Sequence, residues 1–278
     1  MKEFFVVSMQ RSGSNWLQTC LNQHTSIRIN GELKPSTALT HMSRIKTGDH
    51  ISHGIMLDRG LYRSCARDMI RRMMAANVGM TDEEANDYTG YIGDRTAYSA
   101  VQSLSRFPEQ LSYLKVLQEY FPESKKIILV RDVRDVIVSF SVWKTNVRNN
   151  LLAFTPRSFL LFLRHIRNWI ILNRQWAEDI KKGQDGLIIH YEEIKKDFQG
   201  TMGRVFDFME TTYDDSFLDN LRTNFYSIKS SHYRLENKKR GYSFYRKGIV
   251  GDWENKFKWP HKAIVQIYLH QINHINSL

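Results

Sequence analysis

The sequence predicts an α/β fold, a single domain over residues 1–278 built on a central parallel sheet flanked by helices. Three observations carry that expectation. Short apolar runs rich in β-branched residues, at Glu3 to Ser8, Lys126 to Val130 and Gly186 to His190, have the continuous hydrophobicity of strands buried on both faces. Each run passes through polar residues into a helical pattern, the alternation that builds a parallel sheet with crossover helices. Neither a Pro/Gly/Ser-rich linker, a low-complexity tract nor a repeat of solenoid length divides the 278 residues.

In chain order, the strand at Glu3 to Ser8 leads to a helix over Ser14 to Gln23, followed by a short strand at Ile27 to Asn30. The segment from Lys34 to Asp58 has no clear period and is expected to be a loop region on the substrate side. A helix over Leu61 to Ala76 precedes a short strand at Tyr91 to Gly93, and a helix over Pro108 to Tyr120 precedes the strand at Lys126 to Val130. Helices over Arg134 to Lys144 and Arg157 to Lys181 come next, then the strand at Gly186 to His190. Two last helices are expected over Thr201 to Met209 and His261 to Ile275. In the long helix, Arg157, Arg164, Arg167 and Arg174 fall broadly on one side and read as a solvated face.

Composition narrows the function. A hydrophobic share of 42% with 25% charged residues suits a globular chain with a sizeable core. The apolar run Phe4-Phe5-Val6-Val7 is too short for a signal-peptide core, and Arg164 and Arg167 interrupt the apolar run near Phe159, so a cytoplasmic protein without integral membrane contact is expected. The two cysteines, Cys20 and Cys65, have no metal-site or disulfide spacing and read as buried thiols. A formal charge of +11 points to an anionic partner, and nucleic acid, an acidic membrane face and a phosphorylated nucleotide all satisfy it.

The first strand runs into Ser8-Met9-Gln10-Arg11-Ser12-Gly13-Ser14-Asn15-Trp16-Leu17. A glycine that turns closely, hydroxyls, free amides at a helix start and a fixed cation make an anion cradle. An ordinary strand-to-helix turn capped by Ser12 or Ser14 has the same letters. The stretch lacks the second glycine, lysine and Ser/Thr of a Walker A loop, and the strand at Ile127 to Val130 ends in Arg131 rather than a carboxylate, so a magnesium–nucleoside triphosphate site is poorly provided for. After that strand, Arg131 and Ser139 in Arg131-Asp132-Val133-Arg134-Asp135-Val136-Ile137-Val138-Ser139 are suited to hold a second phosphate. A helix start with Asp132 or Asp135 at its positive end and Arg134 in solvent accounts for the same stretch.

The two loops together resemble the sulfotransferases that use 3′-phosphoadenosine 5′-phosphosulfate (PAPS), whose 5′-phosphosulfate loop and 3′-phosphate motif occur in this order. Arg246-Lys247-Gly248-Ile249-Val250-Gly251-Asp252-Trp253 resembles that family's C-terminal basic-glycine loop. Ile189-His190-Tyr191-Glu192-Glu193-Ile194-Lys195-Lys196-Asp197 is similar to its strand-then-tyrosine segment near the adenine, and Gly93-Asp94-Arg95-Thr96 resembles a Gly-Glu-Lys-Thr/Ser segment, with arginine where lysine is usual. Arg-Ser-Gly-Ser in the first loop is closest to carbohydrate and bacterial branches, since the cytosolic small-molecule branch has lysine where Arg11 stands.

The resemblance implies a P-loop-like sulfotransferase fold, PAPS as co-substrate, adenosine 3′,5′-bisphosphate (PAP) as product and no metal requirement. It implies a nucleotide site of Arg11, Ser12, Gly13, Ser14, Asn15, Trp16, Arg95, Arg131, Ser139, Tyr191, Arg246, Lys247 and Gly248. Arg11 is expected to stabilise charge, because a guanidinium does not give up its proton. A hydroxyl acceptor needs a base. Glu32, in Asn30-Gly31-Glu32-Leu33, resembles a Gly-Glu segment in which some relatives place one, while a structural glutamate paired with Arg11 or Arg95 is the competing reading. His24, His41, His50 and His53 are candidates by residue type alone, with His24 better suited to a cap or turn. The acceptor class stays open among small molecules, natural products and carbohydrates, and oligomerisation is possible. A kinase-like phosphotransferase and a non-catalytic nucleic-acid-binding protein are the alternatives. The first is weakened by the missing magnesium ligands, the second by basic residues gathered at three loops rather than in a stripe.

Overall fold

The computed structural model describes residues 1–35, 37–39, 59–98, 111–143, 150–183, 185–226 and 248–278. Among the sequence expectations, His41, His50, His53, Arg246, Lys247, most of the segment from Lys34 to Asp58 and the first residues of the helix expected at Pro108 lie outside the described residues.

Five strands form one parallel sheet: β1 (Lys2–Met9), β2 (Ile27–Gly31), β3 (Tyr91–Tyr98), β4 (Lys125–Val130) and β5 (Gly186–His190), in the order β2-β3-β1-β4-β5. Side chains alternate across a strand, so the inner strands feed two cores, while the edge strand β2 gives Ile27 and Ile29 to one. Phe5, Val7 and Met9 of β1 and Ile128 and Val130 of β4 enter one core, while Phe4, Val6, Ile127 and Leu129 enter the other. Helices α1 (Ser14–Leu21), α2 (Arg59–Asn77), α3 (Asp82–Asp87), α4 (Tyr113–Tyr120), α5 (Val133–Trp143), α6 (Pro156–Lys181), α7 (Tyr191–Lys196), α8 (Phe198–Phe208), α9 (Asp215–Leu221), α10 (Trp253–Lys256) and α11 (Trp259–Asn276) cover the two faces, with a π-helical turn at Arg222–Tyr226. The first core takes Trp169 and Trp176 of α6 and Ile272 of α11, and the second takes Trp16 and Leu17 of α1 and Val205 and Phe206 of α8.

The central strand β1 leads first to β2 and β3 on one side, after which the chain crosses to β4 and β5 on the other. Ligands of such sheets bind beyond the carboxyl ends of the strands where this reversal occurs. Here that is the end of β1 beside β4, where the first loop and Arg131 meet.

The structure departs from the sequence expectations mainly in length. Strand β3 does not stop at Gly93 but runs to Tyr98, carrying Asp94 and Arg95 inside the sheet. Charged residues inside a buried strand are tolerated when their polar atoms are satisfied, and these are, as described below. The helix expected from Thr201 begins at Phe198, because Asp197 accepts the Gly200 N–H as its N-cap. Helices α3, α7, α9 and α10 are too short to leave a hydrophobic period. The long helix α6 starts where Thr155 accepts the Ser158 N–H and Pro156 occupies the first turn. Arg157, Arg167 and Arg174 on it are exposed and Arg164 is half-buried, as a solvated face requires. Cys20 is buried, whereas Cys65 is exposed, against the expectation of two buried thiols.

Candidate functional site

The first loop closes between β1 and α1. Gln10 N–H donates to the Tyr98 carbonyl at 2.8 Å and Ser12 N–H returns to the Met9 carbonyl at 3.2 Å. Arg11 and Gly13 both take left-handed backbone conformations, with φ of 72° and 97°. The N-cap of α1 is Gly13, so neither Ser12 nor Ser14 caps the helix from that position. Amides at the start of α1 are thereby left for a ligand. The Ser12 hydroxyl is fully buried and has no hydrogen-bond partner among the described residues, an orphan donor of the kind an anion would satisfy. Asn15 lies in the first turn, where its carbonyl accepts the Thr19 hydroxyl at 2.9 Å.

The second loop meets the first directly. Arg131 at the end of β4 donates from Nη1 to the Arg11 carbonyl at 3.0 Å and from Nη2 to the Ile249 carbonyl at 3.2 Å. Arg11 Nε donates to Ser139 Oγ at 3.1 Å. The Trp169 indole N–H fixes the Arg131 carbonyl at 3.1 Å from below. Two residues of α5 therefore face the first loop or the C-terminal segment: Ser139, and one turn earlier Asp135, whose carboxylate accepts N–H bonds from Gly251 at 2.7 Å and Trp253 at 3.1 Å. Burial holds the Asp135 pKa above the usual aspartate value despite those donors. Asp132 accepts from its neighbour Arg134 and from Asn276, while Arg134 lies over the Trp253 ring at 4.2 Å rather than in solvent.

Tyr191, the first residue of α7, ties three loops together. Arg131 lies over its ring at 4.4 Å. Trp16 packs edge-on with ring centres 6.4 Å apart. The tyrosine hydroxyl donates to the Gly248 carbonyl at 3.3 Å. Gly13 and Gly248 both bring backbone close to Tyr191: a Cβ on the first would lie 2.7 Å from its ring, and one on the second 3.0 Å from its hydroxyl.

On the other side of β1, strand β3 supplies the link to Glu32. Arg95 pairs in register with Val6, and its buried guanidinium lies across Gly31. Its Nε donates to Gln18 at 2.7 Å, and Nη1 is 3.5 Å from Ser14 Oγ and 3.6 Å from a Glu32 oxygen. Glu32 is about half exposed and left-handed at φ 72°, and its N–H donates to the Arg95 carbonyl at 2.9 Å. The next amide, Leu33 N–H, is held by the fully buried Asp94 at 3.0 Å, whose other oxygen accepts the Thr96 hydroxyl at 2.8 Å. Tyr113 completes the chain, 3.2 Å from Thr96 Oγ1. Burial raises the Asp94 pKa. Arg95 thus touches both the first loop and the only carboxylate proposed as a base.

The structure brings Arg11, Ser12, Gly13, Ser14, Trp16, Arg131, Ser139, Tyr191 and Gly248 to one end of the sheet, with Arg95 and Glu32 beside them. His24 lies elsewhere: its ring sits between Phe206 and Phe217, contacts the Thr212 carbonyl at 2.9 Å and accepts the Ser26 N–H at 3.2 Å, a turn-holding role. Sequence reasoning missed Gln18, Asp94 and Asp135 as organisers of the site. Gln18 lies four residues after Ser14, and Asp135 four before Ser139, so helical spacing carried a signal for both. Asp94 stood in the Gly93-Asp94-Arg95-Thr96 segment, but its tie to Leu33 joins residues remote in sequence.

Among the described residues no group of three or more His, Cys, Asp or Glu is arranged to hold a metal, and no helix is long and apolar enough to cross a membrane.

Residues 1–272 match the family described as "Sulfotransferase domain". Among curated proteins, rat sulfotransferase 2A1 is 33% identical over 150 residues, covering 49% of this chain and 51% of the relative, so the match spans about half the length of each. Among solved structures, mouse sulfotransferase SULT7A1 complexed with PAP aligns with a TM-score of 0.55 at 18% identity, over 98% of this chain and 85% of that one. The sulfotransferase domain of a Synechococcus olefin synthase aligns with a TM-score of 0.54 at 16% identity, over 96% and 94%. These two likenesses establish a common fold.

Proposed function

The chain belongs to the sulfotransferase domain family, and from that premise we propose that it transfers a sulfuryl group from PAPS to a hydroxyl or amine of a small-molecule, natural-product or carbohydrate acceptor by in-line displacement. The observation that carries this reading is the convergence of the first loop and the Arg131 loop, Arg11 donating to Ser139 at 3.1 Å and Arg131 to the Arg11 carbonyl at 3.0 Å. Two cation-bearing loops joined at one end of the sheet suit a nucleotide with phosphates at both the 5′ and 3′ positions.

In this reading the first loop, from Arg11 to Trp16, would hold the 5′-phosphosulfate, and Arg131 and Ser139 the 3′-phosphate, with Arg246 and Lys247 joining from the C-terminal loop. Tyr191 and Trp16 offer the aromatic surface for adenine. Sulfuryl transfer passes through a loose transition state, so positioning and charge stabilisation supply most of the catalysis. Arg11 and Arg95 are the fixed charges available for that, neither giving up a proton. Glu32 takes the acceptor proton, and the left-handed backbone of Arg11 and of Glu32 is the local strain that functional positions often store. The Glu32–Arg95 contact at 3.6 Å leaves the carboxylate about half exposed and able to face an acceptor. A cytoplasmic setting belongs to the same proposal.

The test is calorimetric titration of PAP in EDTA, followed by an acceptor screen with labelled PAPS read by mass. Binding that needs magnesium, or the absence of any binding, removes the reading in favour of another phosphate-handling activity.

A further inference from the structure

Arg131 is not the only cation gathered on Tyr191. The Lys195 ammonium, one turn along α7, lies 5.8 Å from the centre of the same ring and 5.9 Å from that of Trp16. It also faces the C-terminal loop: a Cβ on Gly248 would lie 3.7 Å from Lys195 Nζ. The side chain is half-buried. Two cations from different elements, Arg131 from the end of β4 and Lys195 from α7, thus flank one tyrosine where the Gly248 carbonyl docks. Arg131 also faces the Asp135 and Glu192 carboxylates, and Lys195 brings a further positive charge to the same ring. Burial, and next the Arg131 guanidinium, hold the Lys195 pKa below the ordinary lysine value.

We propose that Lys195 is a nucleotide-binding residue that contacts the phosphate on the Gly248 side of Tyr191, the 3′-phosphate of PAP and PAPS. This rests on the PAPS reading above and adds a cation to that site which lies in neither basic loop. Its ammonium lies near the Trp16 and Tyr191 rings and beside Gly248, so a nucleotide stacked on the aromatic pair would bring its ribose phosphate within reach. The expected consequence is selectivity: Lys195 strengthens binding of nucleotides that carry the extra phosphate and is nearly indifferent to those that lack it.

The experiment compares wild type, Lys195→Met, which keeps the stem and removes the charge, and Lys195→Arg, which keeps the charge, by calorimetry with PAP and with adenosine 5′-monophosphate. Removing one charge-assisted contact should weaken PAP binding about 10- to 100-fold in Lys195→Met and leave the monophosphate within about twofold, with Lys195→Arg close to wild type. Unchanged PAP affinity in Lys195→Met, or equal losses for the two nucleotides, overturns the assignment. Failure of wild type to bind PAP at all would instead remove the PAPS reading. A measurement on the wild-type protein guards against a variant that does not fold: amine-reactive acetylation of Lys195, followed by mass spectrometry, should slow when PAP is present. An equal rate with and without PAP counts against the contact.

Discussion

Asp135 gives the sharpest test of how the site is assembled, because a single carboxylate joins the helix that carries Ser139 to the C-terminal segment. Replacing it with alanine removes both acceptors of the Gly251 and Trp253 N–H bonds, at 2.7 and 3.1 Å. A hydrogen bond to an ionised group contributes about 1.5–3 kcal/mol, and freed amides near the surface regain part of this from water, so the pair should be worth roughly 2–4 kcal/mol. In a chain of this size that corresponds to a fall in Tm of about 5–12 °C. The damage should also spread to the nucleotide. Release of this segment takes away the Ile249 carbonyl that Arg131 uses and the Gly248 carbonyl that Tyr191 uses. PAP affinity should therefore fall by about tenfold or more although Asp135, itself an anion, contacts no part of the nucleotide in this account. Asp135→Asn, which keeps one acceptor oxygen, should lose about half as much stability. Hydrogen exchange over residues 248–256, a thermal melt and PAP calorimetry measure the three effects. Wild-type protection in that segment together with PAP affinity within twofold in Asp135→Ala would refute the reasoning.

Three more outcomes follow from the geometry. Gly13→Ala should cost at least tenfold in PAP affinity, since φ is 97° and the added Cβ would lie 2.7 Å from the Tyr191 ring. Gly79→Ala, at φ 81° with open space around it, should show only the backbone cost of about 1–2 kcal/mol in a denaturant melt and unchanged PAP binding. Glu32→Gln should keep PAP affinity while losing roughly a hundred- to ten-thousandfold in turnover once an acceptor is identified, and normal turnover would make Glu32 a structural partner of Arg95. His165 is fully buried beside Phe140, neither ring nitrogen has a partner among the described residues, and burial pushes its pKa down from 6.5 to about 3. The unfolded chain therefore takes up a proton between those values and the native state does not, so His165 lowers stability as pH falls from about 6.5 towards 3, by up to roughly 4–5 kcal/mol. Urea melts at pH 7 and pH 4 should show a smaller acid loss in His165→Phe, and identical losses would remove His165 as a cause.

The parallel sheet was legible because strands buried on both faces leave continuous apolar runs, as at Phe4 to Val7 and Ile127 to Val130. Strand β3 was half hidden, since Asp94 and Arg95 interrupt its apolar pattern and only their partners, Leu33, Thr96, Gln18 and Glu32, make them compatible with a strand interior. The loops carrying Arg11 and Arg131 could be read as anion sites one at a time, but the bond that unites them joins residues 120 positions apart, and no local pattern encodes it. Tyr191 was singled out by resemblance. That it is pinned by two glycines, Gly13 and Gly248, emerges only when three remote segments are assembled. Lys195 stands in the same segment, but its nearness to Trp16 and Gly248 joins parts of the chain remote in sequence. Arg246 and Lys247 lie outside the described residues, and their part in the site rests on the resemblance and on their place next to Gly248.

The most direct test of the central claim is the affinity of the wild-type protein for PAP relative to adenosine 5′-monophosphate, measured in EDTA at fixed ionic strength. If the first loop and the Arg131–Ser139 site hold the two ends of one nucleotide, PAP binds without magnesium and at least tenfold more tightly than the monophosphate, as an added charge-assisted phosphate contact requires. Equal affinity for the two nucleotides would contradict it, because the second anion site would then have no phosphate to hold.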